Sequence, residues 1–129
     1  MTAHDDELSA VLRRFKGMAM FERYEITSPV SRGDDGDTPL HIAAFDNDVP
    51  SLEVMLPYVK CVDVRGGLGY TPLHYAVLRG AVDAARLLIM SGSDVSVEAD
   101  YGDTPLEMMR SRDTFAALLM ELPRLTGQS

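Results

Sequence analysis

Two of the three histidines, the single cysteine and a run of aspartates are the residues of this 129-residue chain whose chemistry first suggests a reactive site. His41 and His74 could bind a metal ion, but protein metal sites usually use three or four ligands, and Cys61 is distant in sequence from both. The segment from Asp34 to Asp37 reads Asp-Asp-Gly-Asp, which lacks the ligand spacing and the closing glutamate of a calcium loop. We therefore predict no metal site.

The motifs of the common catalytic classes are also missing from the sequence. The chain has no serine in G-x-S-x-G, no Gly-rich loop followed by Lys-Ser/Thr, and no H-E-x-x-H. Cys61 has Lys60 as its only conspicuous basic neighbour, and an isolated thiol is more often inert than nucleophilic. We predict a non-enzymatic protein without a cofactor, and a small hydrolytic or metal-dependent enzyme is the alternative.

The composition limits the class of partner. The formal net charge is −8, and 46% of the residues are hydrophobic, which is enough for one domain with a continuous core. An acidic surface repels nucleic-acid phosphates and anionic lipids, so we expect neither as a partner. The same charge would accelerate encounter with a basic protein, although the alternative is that it only maintains solubility.

The sequence also bears on where the protein is found. No apolar run approaches the length of about 20 residues that a membrane helix requires. The N-terminal residues include several acids where a secretory signal would carry positive charge. Cys61 is the only cysteine, which is consistent with a reducing compartment. We expect a cytoplasmic protein that is monomeric when unbound.

A repeat in the sequence explains the placement of His41 and His74. The pattern Gly-x-Thr-Pro-Leu occurs three times, and its threonines are spaced by 33 residues. Proline is tolerated at the first position of a helix, the threonine before it is a good N-cap, and the glycine suits a turn with positive φ. Thr104 and Glu107 also fit the S/T-x-x-E capping box. The motif residues with this structural role are Thr38, Pro39, His41, Thr71, Pro72, His74, Thr104, Pro105 and Glu107.

A second helical run follows each first helix. It is clearest at residues 82–89, and Gly92 lies where a left-handed residue would end it. In the first copy of the repeat, Pro57 lies where this run would continue. Because proline disfavours helix at its own position and before it, we predict that the helix ends near Met55 or Leu56.

The N-terminal residues lack the repeated motif. Residues 8–15 carry apolar side chains at helical spacing, and residues 18–24 read as another helical segment. We predict that this pair of segments covers the apolar side of the first repeat, because terminal repeats of stacked proteins are commonly atypical.

The segments DTPLHIAA and YTPLHYAV, together with the 33-residue period, resemble the ankyrin-repeat family. The resemblance implies an all-α solenoid of stacked helix-turn-helix units with short β-hairpin or turn fingers. It also implies structural histidines that bond backbone groups near the helix starts. The predicted division is an N-terminal helical cap (1–31), two repeats (32–66 and 67–99), a shortened C-terminal repeat (100–125) and a tail (126–129).

The resemblance also locates a binding surface. In ankyrin-repeat proteins, partner contacts come mainly from the turns around the repeated glycine and from exposed positions of the first helix. Carried over to this chain, the partner-binding residues are Asp35, Asp37, Phe45, Asp46, Arg65, Leu68, Tyr70, Leu78, Arg79, Asp100, Tyr101 and Asp103. Aromatic side chains are enriched at interface hot spots. The alternative is that some of the tyrosines pack between neighbouring fingers and only stabilise the turns.

These observations predict a protein–protein interaction module that binds a basic protein partner and inhibits or regulates it, in the manner of an immunity protein or antitoxin. The small size, the acidic charge and the aromatic side chains at the fingers favour this interpretation. The alternative is a scaffold or adaptor that assembles complexes.

Overall fold

The computed structural model describes residues 3–126, and within that range the chain is a stack of short helices without a β-strand. The α-helices are α1 (Ala3–Lys16), α2 (Pro39–Phe45), α3 (Val49–Met55), α4 (Pro72–Leu78), α5 (Val82–Met90), α6 (Pro105–Arg110) and α7 (Ala116–Leu125). Short 3₁₀ turns occupy Ala19–Phe21, Asp34–Gly36, Leu56–Tyr58, Gly67–Gly69 and Asp113–Phe115. The all-α prediction is confirmed, and the fingers take the turn form rather than the hairpin form.

The helices form two parallel rows. In the inner row α4 contacts both α2 and α6, and in the outer row α5 contacts both α3 and α7. Each inner helix also packs against the outer helix that follows it in the chain, and α1 packs against α3. This arrangement is the predicted stack of helix-turn-helix layers. None of the helices in residues 3–126 has the length and apolar character needed to cross a membrane.

The hydrophobic core lies between successive layers. Leu40 in α2 and Leu73 in α4 are fully buried, and Ala43 and Ala76 on the same helices have no exposed surface. Leu106, at the same position of α6, is only half-buried. Full burial of a leucine contributes about 2 kcal/mol, so much of the stability of the stack comes from contacts between layers.

The repeated threonine is the N-cap of each inner helix. Thr38, Thr71 and Thr104 have extended backbones, and each side chain accepts a hydrogen bond from the amide three residues later. The capping box predicted for α6 is only half formed. The Thr104 hydroxyl accepts from the Glu107 amide at 3.2 Å, but among the described residues no bond returns from the exposed Glu107 side chain to the Thr104 amide.

The ends of the outer helices follow the proline and glycine pattern. α3 ends at Met55, which confirms the prediction, and the following 3₁₀ turn contains Pro57. α5 runs one residue beyond the predicted 82–89, and Gly92 follows it with a φ of 105°. A side chain rarely adopts this backbone conformation, so glycine suits the position.

The N-terminal segment differs from its prediction. Phe15 of α1 is buried against Phe21, with ring centroids 6.3 Å apart and nearly perpendicular planes. The second helical segment expected over residues 18–24 is limited to one 3₁₀ turn, Ala19–Phe21. The Lys16 ammonium donates to the carbonyl of Glu22 at 2.8 Å and also to that of Tyr24. Because these carbonyls accept hydrogen bonds from Lys16, they do not require the amides of a continuing helix. The chain can therefore leave the helical conformation after Phe21.

Candidate functional site

Three equivalent turns, which we call the first, second and third fingers, lie before α2, α4 and α6. They comprise residues 33–37, 66–70 and 99–103. In each finger the first N–H donates to the fifth carbonyl, at 2.8, 2.8 and 2.9 Å. The fourth residue of each is a glycine, and its φ is 78°, 73° and 90° in the three fingers. The repeated glycine is therefore explained by the turn geometry.

The histidines join each layer to the next finger. The Nδ1 atom of His41 accepts from the Thr38 hydroxyl at 2.9 Å, and its Nε2–H donates to the Tyr70 carbonyl at 2.8 Å. A carbonyl can only accept a hydrogen bond, so Nε2 carries the proton. His74 makes the equivalent bonds one layer later, with 2.9 Å from Nε2 to the Asp103 carbonyl.

Both histidines are fully occupied by these bonds. Burial lowers the pKa of His41 and of His74 from 6.5, because a charged imidazolium is disfavoured away from water. Within residues 3–126 no group of three or more His, Cys, Asp or Glu side chains could hold a metal ion. The role that the geometry gives these histidines is to connect layers.

Further hydrogen bonds link the fingers to one another. The Arg32 guanidinium donates to the carbonyls of Gly36 and Arg65, both at 2.7 Å. The Asp100 amide donates to the Leu68 carbonyl at 2.9 Å, which joins the third finger to the second. The fingers therefore form one connected row in which side chains are held at fixed spacing.

The third residue of each finger is its tip. Asp35, Leu68 and Tyr101 occupy these tips, and all are exposed. The exposed fraction is 55% for Leu68 and 80% for Tyr101. Asp35 and Leu68 have left-handed backbones, with φ of 63° and 58°. Leucine pays a steric cost of about 1 kcal/mol there, because its Cβ approaches the following carbonyl.

An aromatic cluster lies behind the fingers, on the exposed side of α2 and α4. The Tyr75 ring centroid lies 5.3 Å from His41, 5.9 Å from Phe45 and 5.9 Å from Tyr70. The Arg79 guanidinium lies 4.7 Å above the Phe45 ring. Phe45, Tyr70 and Arg79, which were predicted separately, thus belong to one connected surface.

Tyr75 is a site residue that the sequence analysis missed. Its hydroxyl donates to both carboxylate oxygens of Asp37, at 2.9 and 2.8 Å, and Asp37 also accepts from the Gly67 amide at 3.0 Å. Burial and the bond to Asp37 raise the pKa of Tyr75, so the phenol stays a donor. One feature of the sequence could have indicated this residue. Tyr75 is aromatic, whereas the equivalent positions of the other two repeats have Ile42 and Met108.

A cavity of about 360 Å³ opens between the first and second fingers. The residues that line it are Asp35, Asp37, Gly67, Leu68, Tyr70 and Tyr75. We call it the finger cavity. Its walls combine carboxylates, phenol rings and one aliphatic side chain, and four of these residues were predicted to bind a partner.

The remaining predicted residues lie around the finger cavity and along the row. Phe45 and Leu78 are the last residues of α2 and α4, and Asp46 and Arg79 follow them. Arg65 precedes the second finger, and the third finger carries the others. The finger surface, as we use the term, consists of Asp35, Asp37, Phe45, Asp46, Arg65, Leu68, Tyr70, Leu78, Arg79, Asp100, Tyr101 and Asp103.

Ion pairs neutralise other parts of the molecule. Within the described range they join Arg14 to Asp48, Arg23 to Asp34, and Arg86 to both Asp83 and Glu121. In residues 3–126, none of these pairs includes a carboxylate of the finger surface. Among the described residues, the finger-surface carboxylates without a paired cation are Asp35, Asp37, Asp46, Asp100 and Asp103.

Comparison with protein families finds a match to ankyrin repeats. The model of ankyrin repeats (3 copies) matches residues 16–100, which is well over half of the chain. The matched range ends before the third Thr-Pro-Leu motif, so the predicted repeat boundaries remain predictions. No curated protein matches the chain.

Proposed function

Because this chain belongs to the ankyrin-repeat family, whose members are protein–protein interaction modules and generally not enzymes, we propose that it binds a basic protein through its finger surface and inhibits that protein. Inhibition here means masking of the partner's own working surface, as an immunity protein or antitoxin does. Such a role requires tight binding and no catalytic group on this chain.

The observation that carries the proposal is the pair of exposed apolar tips. Leu68 is 55% exposed in a backbone conformation that favours glycine or asparagine, and Tyr101 is 80% exposed. More than half of the surface of each of these residues is exposed. Exposed aromatic and aliphatic side chains held on a rigid scaffold are typical of interface anchors.

The charge of the surface supports a basic partner. The aspartates of the finger surface have no paired cation among the described residues, and the whole chain carries a net charge of −8. Such a field steers a basic protein toward the fingers and repels acidic proteins. The apolar tips then supply burial after the encounter.

Variants of the tips test the proposal. Leu68→Asn removes the apolar tip at a backbone conformation that asparagine tolerates, and Tyr101→Ala removes an exposed ring, so the double variant should fold normally. Met120→Ala is the matched control, because Met120 is 85% exposed and lies on α7 away from the fingers.

The tagged full-length chain and both variants would be used to purify partners from the native source. We expect the wild type and Met120→Ala to recover one basic protein, whose activity the wild type suppresses. The double variant should bind it at least tenfold more weakly, consistent with about 1.4 kcal/mol or more. Undiminished binding by the double variant would exclude the finger surface, and several weakly bound proteins without loss of activity would indicate an adaptor.

A further inference from the structure

We propose that the finger cavity receives the cationic end of one lysine or arginine side chain of the partner. This inference rests on the proposed function, since it assumes a basic protein partner. It adds a specific anchoring site to the general acidity of the surface.

The walls of the finger cavity suit a cation. Asp35 and Asp37 supply carboxylate oxygens, which form the strong hydrogen bonds with ammonium and guanidinium groups. Tyr70 and Tyr75 supply phenol rings whose centroids lie 5.9 Å apart at an interplanar angle of 60°. A cation near such rings is attracted by their quadrupoles, and the aliphatic part of a long side chain can pack against Leu68.

The cavity is organised before any partner arrives. The Asp37 carboxylate is held by the Gly67 amide at 3.0 Å and by the Tyr75 hydroxyl. A carboxylate has about four lone-pair sites, so these donors leave capacity for a further one. A Cβ atom at Gly67 would lie 3.2 Å from the Asp35 carbonyl oxygen, so glycine keeps the two fingers close.

Two arginines close to the fingers, Arg32 and Arg79, have contacts outside the finger cavity. The Arg32 guanidinium donates to the Gly36 and Arg65 carbonyls. The Arg79 guanidinium lies over the Phe45 ring. None of the ion pairs within residues 3–126 includes Asp35 or Asp37, so these carboxylates remain available to a cation from another molecule.

Small peptides can probe the cavity without knowledge of the partner. The probes are acetyl-glycyl-lysyl-glycine amide, its arginine counterpart and its neutral glutamine counterpart. Each would be titrated into the isotope-labelled full-length chain and followed by NMR. We expect the lysine peptide, the arginine peptide or both to shift the Gly67 amide and the ring signals of Tyr70 and Tyr75, and we expect the glutamine peptide to leave them unchanged.

A pair of charge-matched variants makes the test specific. Asp35→Asn with Asp37→Asn keeps one oxygen at position 37 that can accept from both Gly67 and Tyr75, but removes both charges from the cavity. Glu53→Gln with Asp113→Asn removes the same charge from exposed positions outside the finger surface. We expect the cavity variant to bind the cationic peptide at least tenfold more weakly, and the control variant to bind it within about twofold of the wild type.

The outcomes separate this inference from the proposed function. Absent shifts, shifts elsewhere, or equal weakening by the two variants would overturn the cavity assignment. Binding of the natural partner that is lost in the tip variant but retained in the cavity variant would also overturn it, while leaving the proposed function intact. A third outcome is that peptide binding depends on the cavity carboxylates while the tip variant still binds the partner. That outcome would support the cavity assignment and contradict the role of the tips.

Discussion

The second layer (α4 and α5) and the third layer (α6 and α7) begin with the same turn and the same Thr-Pro-Leu motif. They differ because another layer follows the second one, and none follows the third within the described residues. In the second layer, His74 completes the cap on Thr71 and reaches the Asp103 carbonyl of the next finger. In the third layer, Glu107 makes no reciprocal bond to Thr104 among the described residues. Within the stack, the motif therefore both caps its own helix and bonds the next finger. In the third layer it only caps its own helix.

The apolar residues of the two layers show the same difference. Leu73 is fully buried between layers, whereas Leu106 at the equivalent position is half-buried. Leu106, Leu119 and Leu122 instead help to line an open groove of about 700 Å³. Full burial of the leucine of the motif therefore requires a following layer, as expected for proteins built from stacked repeats.

The largest expected effect comes from His74→Ala. The substitution leaves the Thr71 amide and the Asp103 carbonyl without their partner and opens a cavity, so we expect the free energy of unfolding to fall by about 4 kcal/mol. Glu107→Ala at the equivalent position should cost less than about 0.5 kcal/mol, because that side chain is exposed. Urea titration measures both, and equal losses would remove the distinction between the layers.

The next effect concerns the first residue of the fingers. A Cβ atom at Gly33 would lie 2.5 Å from the Met20 carbonyl oxygen and 2.5 Å from the Phe21 ring, so Gly33→Ala should destabilise the protein by about 3 kcal/mol. The third finger already has alanine there, and Ala99→Gly should cost about 1 kcal/mol. Thermal unfolding of both variants checks this order, and a harmless Gly33→Ala would show that the first finger is not tightly held.

The smallest effect is a dependence of stability on pH. Burial lowers the pKa of His41 and His74 from 6.5 in the folded chain. In the window between the lowered values and 6.5, the unfolded chain binds more protons than the folded one. The free energy of unfolding should therefore decrease as the pH falls through this window, and the contribution of these histidines should be constant above it.

The third layer has no corresponding histidine, so the pH dependence should come from the two earlier layers. Urea titrations at a series of pH values from about 7.5 to about 5.5 measure it. His74→Ala should reduce the slope, and Glu107→Ala should leave it close to that of the wild type. If His74→Ala did not change the dependence of the free energy of unfolding on pH, the attribution of this dependence to the buried histidines would be wrong.

Much of the fold was predictable because its signals are local. The repeated threonines mark the starts of α2, α4 and α6, and Pro57 explains the end of α3 at Met55. The helix expected over residues 18–24 was not observed beyond Ala19–Phe21. Lys16, at the end of α1, donates hydrogen bonds to carbonyls of that segment instead. Residue pattern alone does not reveal such a contact.

The finger surface was predictable only in part. The spacing placed Asp35, Leu68 and Tyr101 at equivalent positions, and the structure has them at the finger tips. It did not indicate that Tyr75 would hold Asp37, because those residues lie 38 positions apart and meet only after two layers have packed together. The contact between Tyr75 and Asp37 forms part of the wall of the finger cavity.

The period can be read directly from the sequence. The helix caps and the turns that need glycine could also be predicted from it, because they depend on bonds between residues a few positions apart. Only the tertiary structure lets His41 and His74 connect layers, buries Leu73 more fully than Leu106, and leaves the finger-surface carboxylates without a paired cation among the described residues. Those properties depend on neighbours about one repeat away, and only the packing of one layer on the next brings such neighbours within bonding distance.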